Sequence, residues 1–154
     1  MALHSLAIQI AGEPSVKLKK RITYLESILL ELNKHELKPS VETVINQQLV
    51  FVNAPVESES LLIRRISKLV AITFRQLEKE MKLVPINYYR NMWTALGMSA
   101  FGLPIGVSIG MLTKNMGLLG VGLPFGMAIG LMVGTNLDKK AKEKGLQLPI
   151  TMQN

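Results

Sequence analysis

The chain contains no cysteine. That excludes a disulfide framework, a thiol nucleophile and any metal site built on thiolates. Its only histidines, His4 and His35, are far apart and outside any ligand-spaced cluster, so both read as surface residues. No metal or cofactor is expected. Aromatic residues make up only 5% of the chain. No stacking-aromatic, zinc or helix-turn-helix pattern accompanies its positive charge, so no nucleic-acid partner is expected. No P-loop, nucleophile elbow or dinucleotide fingerprint occurs. Glu78 and Glu80 lie two apart on a helical stretch and face different ways, which makes a poor carboxylate pair. An enzyme is therefore not expected. A secretory signal is not expected either: no basic start is present, and His4, Ser5 and Gln9 break the first apolar stretch.

Charge is missing from two long stretches. Asn91–Thr113 and Asn115–Leu137 are apolar runs of 23 residues each, and only Lys114 separates them. As helices each would be roughly 35 Å long at about 1.5 Å per residue, against a hydrocarbon core of about 30 Å. The mean hydropathy of the chain, +0.26, is high because of these runs. Their polar residues are Thr94, Ser99, Ser108 and a few at the ends. With no ionisable group inside, an ion-coupled transporter is not expected.

What the runs do contain is glycine at every fourth position: Gly102, Gly106 and Gly110, then Gly122, Gly126, Gly130 and Gly134. Gly102–Gly110 matches Gly122–Gly130 at six of nine positions, an internal repeat with an offset of 20 residues. If the chain turns at Lys114, Gly106 and Gly122 lie equally far from the turn, as do Gly102 and Gly126, and Pro104 and Pro124. An antiparallel transmembrane helical hairpin then sets glycine opposite glycine. In lipid, helices associate through close contact that small residues permit, which offsets the weak helix propensity of glycine. Gly97, Gly117 and Gly120 lie off these columns and could support a second contact. Pro104 and Pro124 are expected to kink the helices and to free carbonyls at Ala100 and Gly120, which Ser99 or neighbouring helices could satisfy.

The flanks suggest an orientation. The net charge is +7. Lys79, Lys82 and Arg90 precede the first run, four lysines including Lys139 and Lys140 follow the second, and Lys114 alone marks the turn. The positive-inside rule places both termini in the cytoplasm. Tyr88, Tyr89, Arg90, Trp93, Lys139 and Lys140 fall where membrane-interface residues belong.

On these columns, and on the exit Gly134-Thr-Asn-Leu-Asp-Lys-Lys140, the chain resembles the bacterial glycine-zipper membrane proteins over roughly residues 92–145. The resemblance implies tight helix packing and a small membrane protein. Members are mostly of unassigned role, and some oligomerise or form pores.

Residues 1–85 read as a small cytoplasmic domain, α or βαβα. Leu3–Ile10 alternates partly and predicts a short strand. Ser15 starts a helix over about 15–33 with a stripe at Leu18, Ile22, Leu25, Leu29 and Leu32. The basic residues Lys17, Lys19, Lys20 and Arg21 crowd its first turn, as a solvated face or for anionic lipid. The β-branched residues of Val44–Val52 predict a strand. A second helix over about 57–82 carries Leu62, Ile66, Leu69, Val70, Thr73, Phe74, Leu77 and Met81 on one stripe. The expected organisation is thus a mostly α membrane protein: residues 1–85, a transmembrane hairpin over 86–137 (spans 91–113 and 115–137), and a basic cytoplasmic tail over 138–154. The expected role is a membrane-anchored structural or interaction protein of the inner membrane that self-associates through its glycine-zipper transmembrane helices and presents a cytoplasmic helical module. Its partners would be the bilayer, further copies of itself and possible cytoplasmic proteins. The alternative is an oligomeric pore or membrane-perturbing effector.

Overall fold

Ser15 and Pro39 begin the first two helices. The computed structural model describes residues 3, 5–8 and 13–152. Helix α1 is Val16–Leu32, and the Ser15 hydroxyl accepts the Leu18 N–H at 3.3 Å. Helix α2 is Pro39–Asn53, with the proline in its first turn, where an N–H has no intrahelical acceptor to lose. Helix α3 is Glu59–Met81. Strand β1 is Val84–Ile86, and strand β2 is Gln147–Thr151; the two pair in a two-stranded sheet. Between them run α4 (Tyr88–Gly97), a π-helical segment (Met98–Gly102), α5 (Leu103–Leu112), a 3-10 segment (Met116–Val121) and α6 (Gly122–Glu143). The protein is mostly helical, and Tyr88–Leu112 and Met116–Glu143 are long and apolar enough to cross a membrane.

The chain divides into two compact units. One is Met1–Val84 with Leu148–Gln153, and the other is Pro85–Gln147. In the first, α3 packs against both α1 and α2. Its core is aliphatic: Leu18, Leu25, Ile28 and Leu32 from α1, Val41, Ile45 and Leu49 from α2, and Leu62, Ile66, Leu69 and Leu77 from α3 are all essentially inaccessible. Ile22 is only half-buried, and Tyr24 and Ile28 are buried instead. The Glu59 carboxylate accepts the Ser15 N–H at 2.9 Å and so ties the starts of α1 and α3 together. Its hydrogen bonds with Ser15 hold its pKa below the ordinary carboxylate value.

Three expectations need correction. Val44–Val52 is not a strand but the body of α2. Its buried residues Val41, Ile45, Leu49 and Val52 follow a four-four-three spacing, which is a helical stripe. Burial of that stripe outweighs the β preference of the branched residues, which is strongly dependent on context. Leu3 and residues 5–8 form no strand, while Gln9, Ile10 and His4 lie outside the described residues. Finally, the basic tail expected over 138–154 opens as the end of α6 and goes on into β2. Asp138, Lys139, Lys140 and Lys142 belong to α6, and beyond it Leu148 and Ile150 of β2 are buried, with Leu148 wholly so.

That last feature bears on folding of the first unit. A fragment ending at residue 85 lacks both of these apolar side chains. Leu148→Ala in the full chain is expected to cost about 2–5 kcal/mol of unit stability, the range for truncating a buried leucine. Denaturant unfolding followed by circular dichroism should show a lowered midpoint. An unchanged midpoint would mean that β2 adds nothing to the core.

Candidate functional site

In the two long apolar helices the usual burial pattern is inverted. The buried residues of α4, the π segment and α5 are Gly97, Gly102, Gly106 and Gly110. Those of α6 are Gly122, Gly126, Gly130 and Gly134, followed by Asp138 and Ala141. The large side chains point out: Phe101, Leu103, Met111, Phe125, Met127 and Met132 are all exposed. Only 22% and 17% of the most apolar windows of the two helices are buried.

Each buried glycine of α6 abuts the backbone of the other helix. A methyl group added at Gly122 would sit 2.6 Å from the Gly106 Cα, and one at Gly126 would sit 2.7 Å from the Gly102 Cα. One at Gly130 would lie 2.8 Å from the Trp93 carbonyl carbon, and one at Gly134 would lie 2.5 Å from the Arg90 Cα. From the other side, Gly106 faces the Leu119 carbonyl and Gly102 faces the Leu123 Cα. Gly110 meets the Met116 sulfur near the turn. The structure thus brings Gly106 to Gly122 and Gly102 to Gly126, while Gly110, Gly130 and Gly134 meet other residues. At Gly106, Gly122, Gly126, Gly130 and Gly134 the opposing backbone is too close for a Cβ, so proximity rather than dihedral angle calls for glycine there; at Gly102 and Gly110 the approach is looser.

Gly97 belongs to this contact, contrary to its expected place off the columns. A methyl there would lie 2.8 Å from the Gly130 Cα. Gly97 and Gly102 are five positions apart, which in a regular α-helix turns them to different faces. The π segment Met98–Gly102 closes i→i+5 turns and brings residues five apart back onto one face. Pro104 follows directly, as the second residue of α5. Its missing N–H fits a place where the regular bonding ladder is already interrupted. Pro124 is the third residue of α6, again within a first turn, after the 3-10 segment. Both prolines therefore mark changes of helix type. Ser99 does not serve the Ala100 carbonyl; its hydroxyl donates to the Ala95 and Leu96 carbonyls, both at 3.1 Å.

The turn is built from Thr113, Lys114 and Asn115. Lys114 adopts a left-handed φ of 53°, and the Asn115 N–H reaches back to the Gly110 carbonyl at 3.0 Å, the pattern of a Schellman helix end. The Asn115 side chain then accepts the Gly117 N–H at 3.0 Å and starts the 3-10 segment.

Asp138 closes the opposite end. Helix α4 starts after Asn87, which has a φ of 63° and caps nothing with its side chain. The N–H groups of Tyr89 and Arg90, in its first turn, donate to the two carboxylate oxygens of Asp138, at 3.1 and 3.0 Å. A carboxylate from α6 thus acts as the N-cap of α4, at the positive end of its dipole. Gly134, one turn earlier, provides the close approach. This residue was not expected to matter; its sign of charge, unlike the lysines around it, is the sequence signal.

The expected interface residues line the same end. The Tyr88 and Tyr89 rings meet edge to face at 5.3 Å, Trp93 is half-buried, and Arg90, Lys139 and Lys140 are exposed. Among the described residues no cluster of three metal-ligating side chains occurs, and His35 sits beside Glu31 at 3.8 Å. Comparison with protein-family models, curated proteins and solved structures finds no match to this chain.

Proposed function

We propose that this chain is a membrane-anchored structural or interaction protein. Its two apolar helices cross the inner membrane as an antiparallel hairpin packed along glycine columns, and its first unit works as a cytoplasmic helical module. The observation that carries this reading is the inverted burial: glycines inside, large aliphatic and aromatic side chains outside. In water such exposure is costly, whereas in hydrocarbon it is the favourable arrangement. The hydroxyls agree with it. Thr94, Ser99, Ser108, Thr113 and Thr135 all donate to carbonyls of their own helix, so none needs water as an acceptor. That use of the hydroxyls also leaves little polar lining for a pore, and the anchor is the stronger reading.

Gly97, Gly102, Gly106, Gly110, Gly122, Gly126, Gly130 and Gly134 are engaged within the chain. If copies associate, they do so through the exposed apolar faces rather than through these columns. The native mass of the detergent-extracted protein measures whether they associate at all.

Topology provides the test. With no native cysteine, single cysteines can be introduced cleanly. Lys114→Cys is expected to react with an impermeant thiol reagent in intact cells, and Ser27→Cys only after the membrane is opened. Labelling at position 27 alone would reverse the orientation. Release of the protein by alkaline carbonate would end the membrane reading.

A further inference from the structure

Five cations share one face of α3. From Ser60 to Leu77 this helix carries Arg64, Arg65, Lys68 and Arg75 and no acidic residue, and Lys79 follows. At about 100° per residue these five fall within roughly a third of the helix circumference, turned away from the buried stripe of Leu62, Ile66 and Leu69. Arg64, Lys68, Arg75 and Lys79 are exposed, and no carboxylate pairs with any of them among the described residues. Glu78 and Glu80 project about 100° to either side of Lys79. The stripe is roughly 22 Å long at 1.5 Å per residue.

Apolar groups accompany the cations. Leu61, on the same face, is 42% exposed. Arg65 donates to the carbonyls of Phe51 at 2.9 Å and Ala54 at 3.3 Å, which caps the end of α2 and sets Phe51 beside the stripe. Phe51 is 60% exposed, and with Gln48, Arg65 and Lys68 it lines a depression of about 210 Å³.

We infer that this face docks on an anionic lipid surface. Uncompensated cations at this density are attracted to lipid phosphates and carboxylates, and Phe51 and Leu61 gain by entering the headgroup boundary. A nucleic acid would use the charge but find one aromatic ring where a stacking platform needs several. The inference rests on the anchoring reading in one respect: the spans keep the module near a bilayer and raise its effective concentration there.

The full chain, reconstituted into vesicles of phosphatidylcholine alone or with about a third phosphatidylserine, tests it. Leu61→Cys carries an environment-sensitive dye, and Ser67→Cys, exposed on another face, serves as reference. In anionic vesicles the dye at 61 is expected to be quenched by a lipid-borne quencher, reversibly in high salt, while the dye at 67 stays silent. The triple variant Arg64→Glu, Lys68→Glu, Arg75→Glu is expected to lower quenching about tenfold with unchanged circular dichroism; Arg65 is kept because it caps α2. Equal quenching in both vesicle types, or quenching indifferent to charge reversal, overturns the docking. So does a dye response to added RNA or acidic protein in place of anionic lipid. Flotation reads the anchor separately: a chain that floats with both vesicle types while the dye stays silent retains its anchor and loses the docking. Salt-sensitive flotation with anionic vesicles alone, with the dye responding, keeps the docking and removes the anchor.

Discussion

Gly126→Leu is expected to separate the two apolar helices while leaving both intact as helices. The added Cβ would lie 2.7 Å from the Gly102 Cα and closer still to the Gly97 carbonyl. Carbon atoms prefer about 3.5–4.0 Å. The obstacle is backbone rather than the end of a flexible side chain, so the helices must move apart. Overpacking a dense core typically costs about 1–3 kcal/mol, and this contact lies at or above the top of that range. Leucine also raises helix propensity and hydropathy, so membrane insertion should persist. The expected signature is therefore specific: retained insertion and helicity, with a widened distance between spin labels on Leu103→Cys and Met127→Cys, both exposed in the parent chain. Gly120→Leu is the control, because nothing lies within 4 Å of a methyl at that position. If Gly126→Leu leaves the label distance unchanged, the glycines are not a packing device.

Asp138→Ala should loosen the other end of the same pair. The residue is 7% exposed, and its carboxylate accepts the N–H groups of Tyr89 and Arg90 in the first turn of α4. Removing an N-cap costs about 0.5–2 kcal/mol, and hydrogen bonds to a charged group contribute about 1.5–3 kcal/mol. A total loss of about 2–3 kcal/mol is expected, read as a lowered thermal midpoint in detergent and faster amide exchange at Tyr89 and Arg90. Asp138→Asn keeps an acceptor but not the charge and should fall between. Lys139→Ala, at an exposed neighbouring position, should shift the midpoint by no more than about 0.5 kcal/mol equivalent. Equal effects at 138 and 139 would show that the cap is energetically silent.

These two residues differ in how far the sequence reveals them. The spacing about Lys114 pairs Gly126 with Gly102 by arithmetic, because a tight turn sets residues at equal counts from it at similar depth, even with the 3-10 segment on one arm. Asp138 gives no such signal. It sits among lysines at the edge of an apolar run, and only the packing of α6 beside the start of α4 turns it into a cap. Gly97 was hidden for a related reason. Its five-residue spacing from Gly102 contradicts α periodicity, and a π turn, chosen by the packing and by Pro104, restores it to the shared face.

By itself the sequence determined the two long apolar helices, since an uncharged run of 23 residues admits few other structures. It also determined α1 and α3, whose apolar stripes keep helical spacing over several turns. Tertiary structure decided the rest. It made Val44–Val52 a helix, because burying Val41, Ile45, Leu49 and Val52 together outweighs a branched side chain's preference for strands. It drew Leu148 and Ile150 into the core, because a strand of five residues has no fold of its own and takes its place from what it packs against.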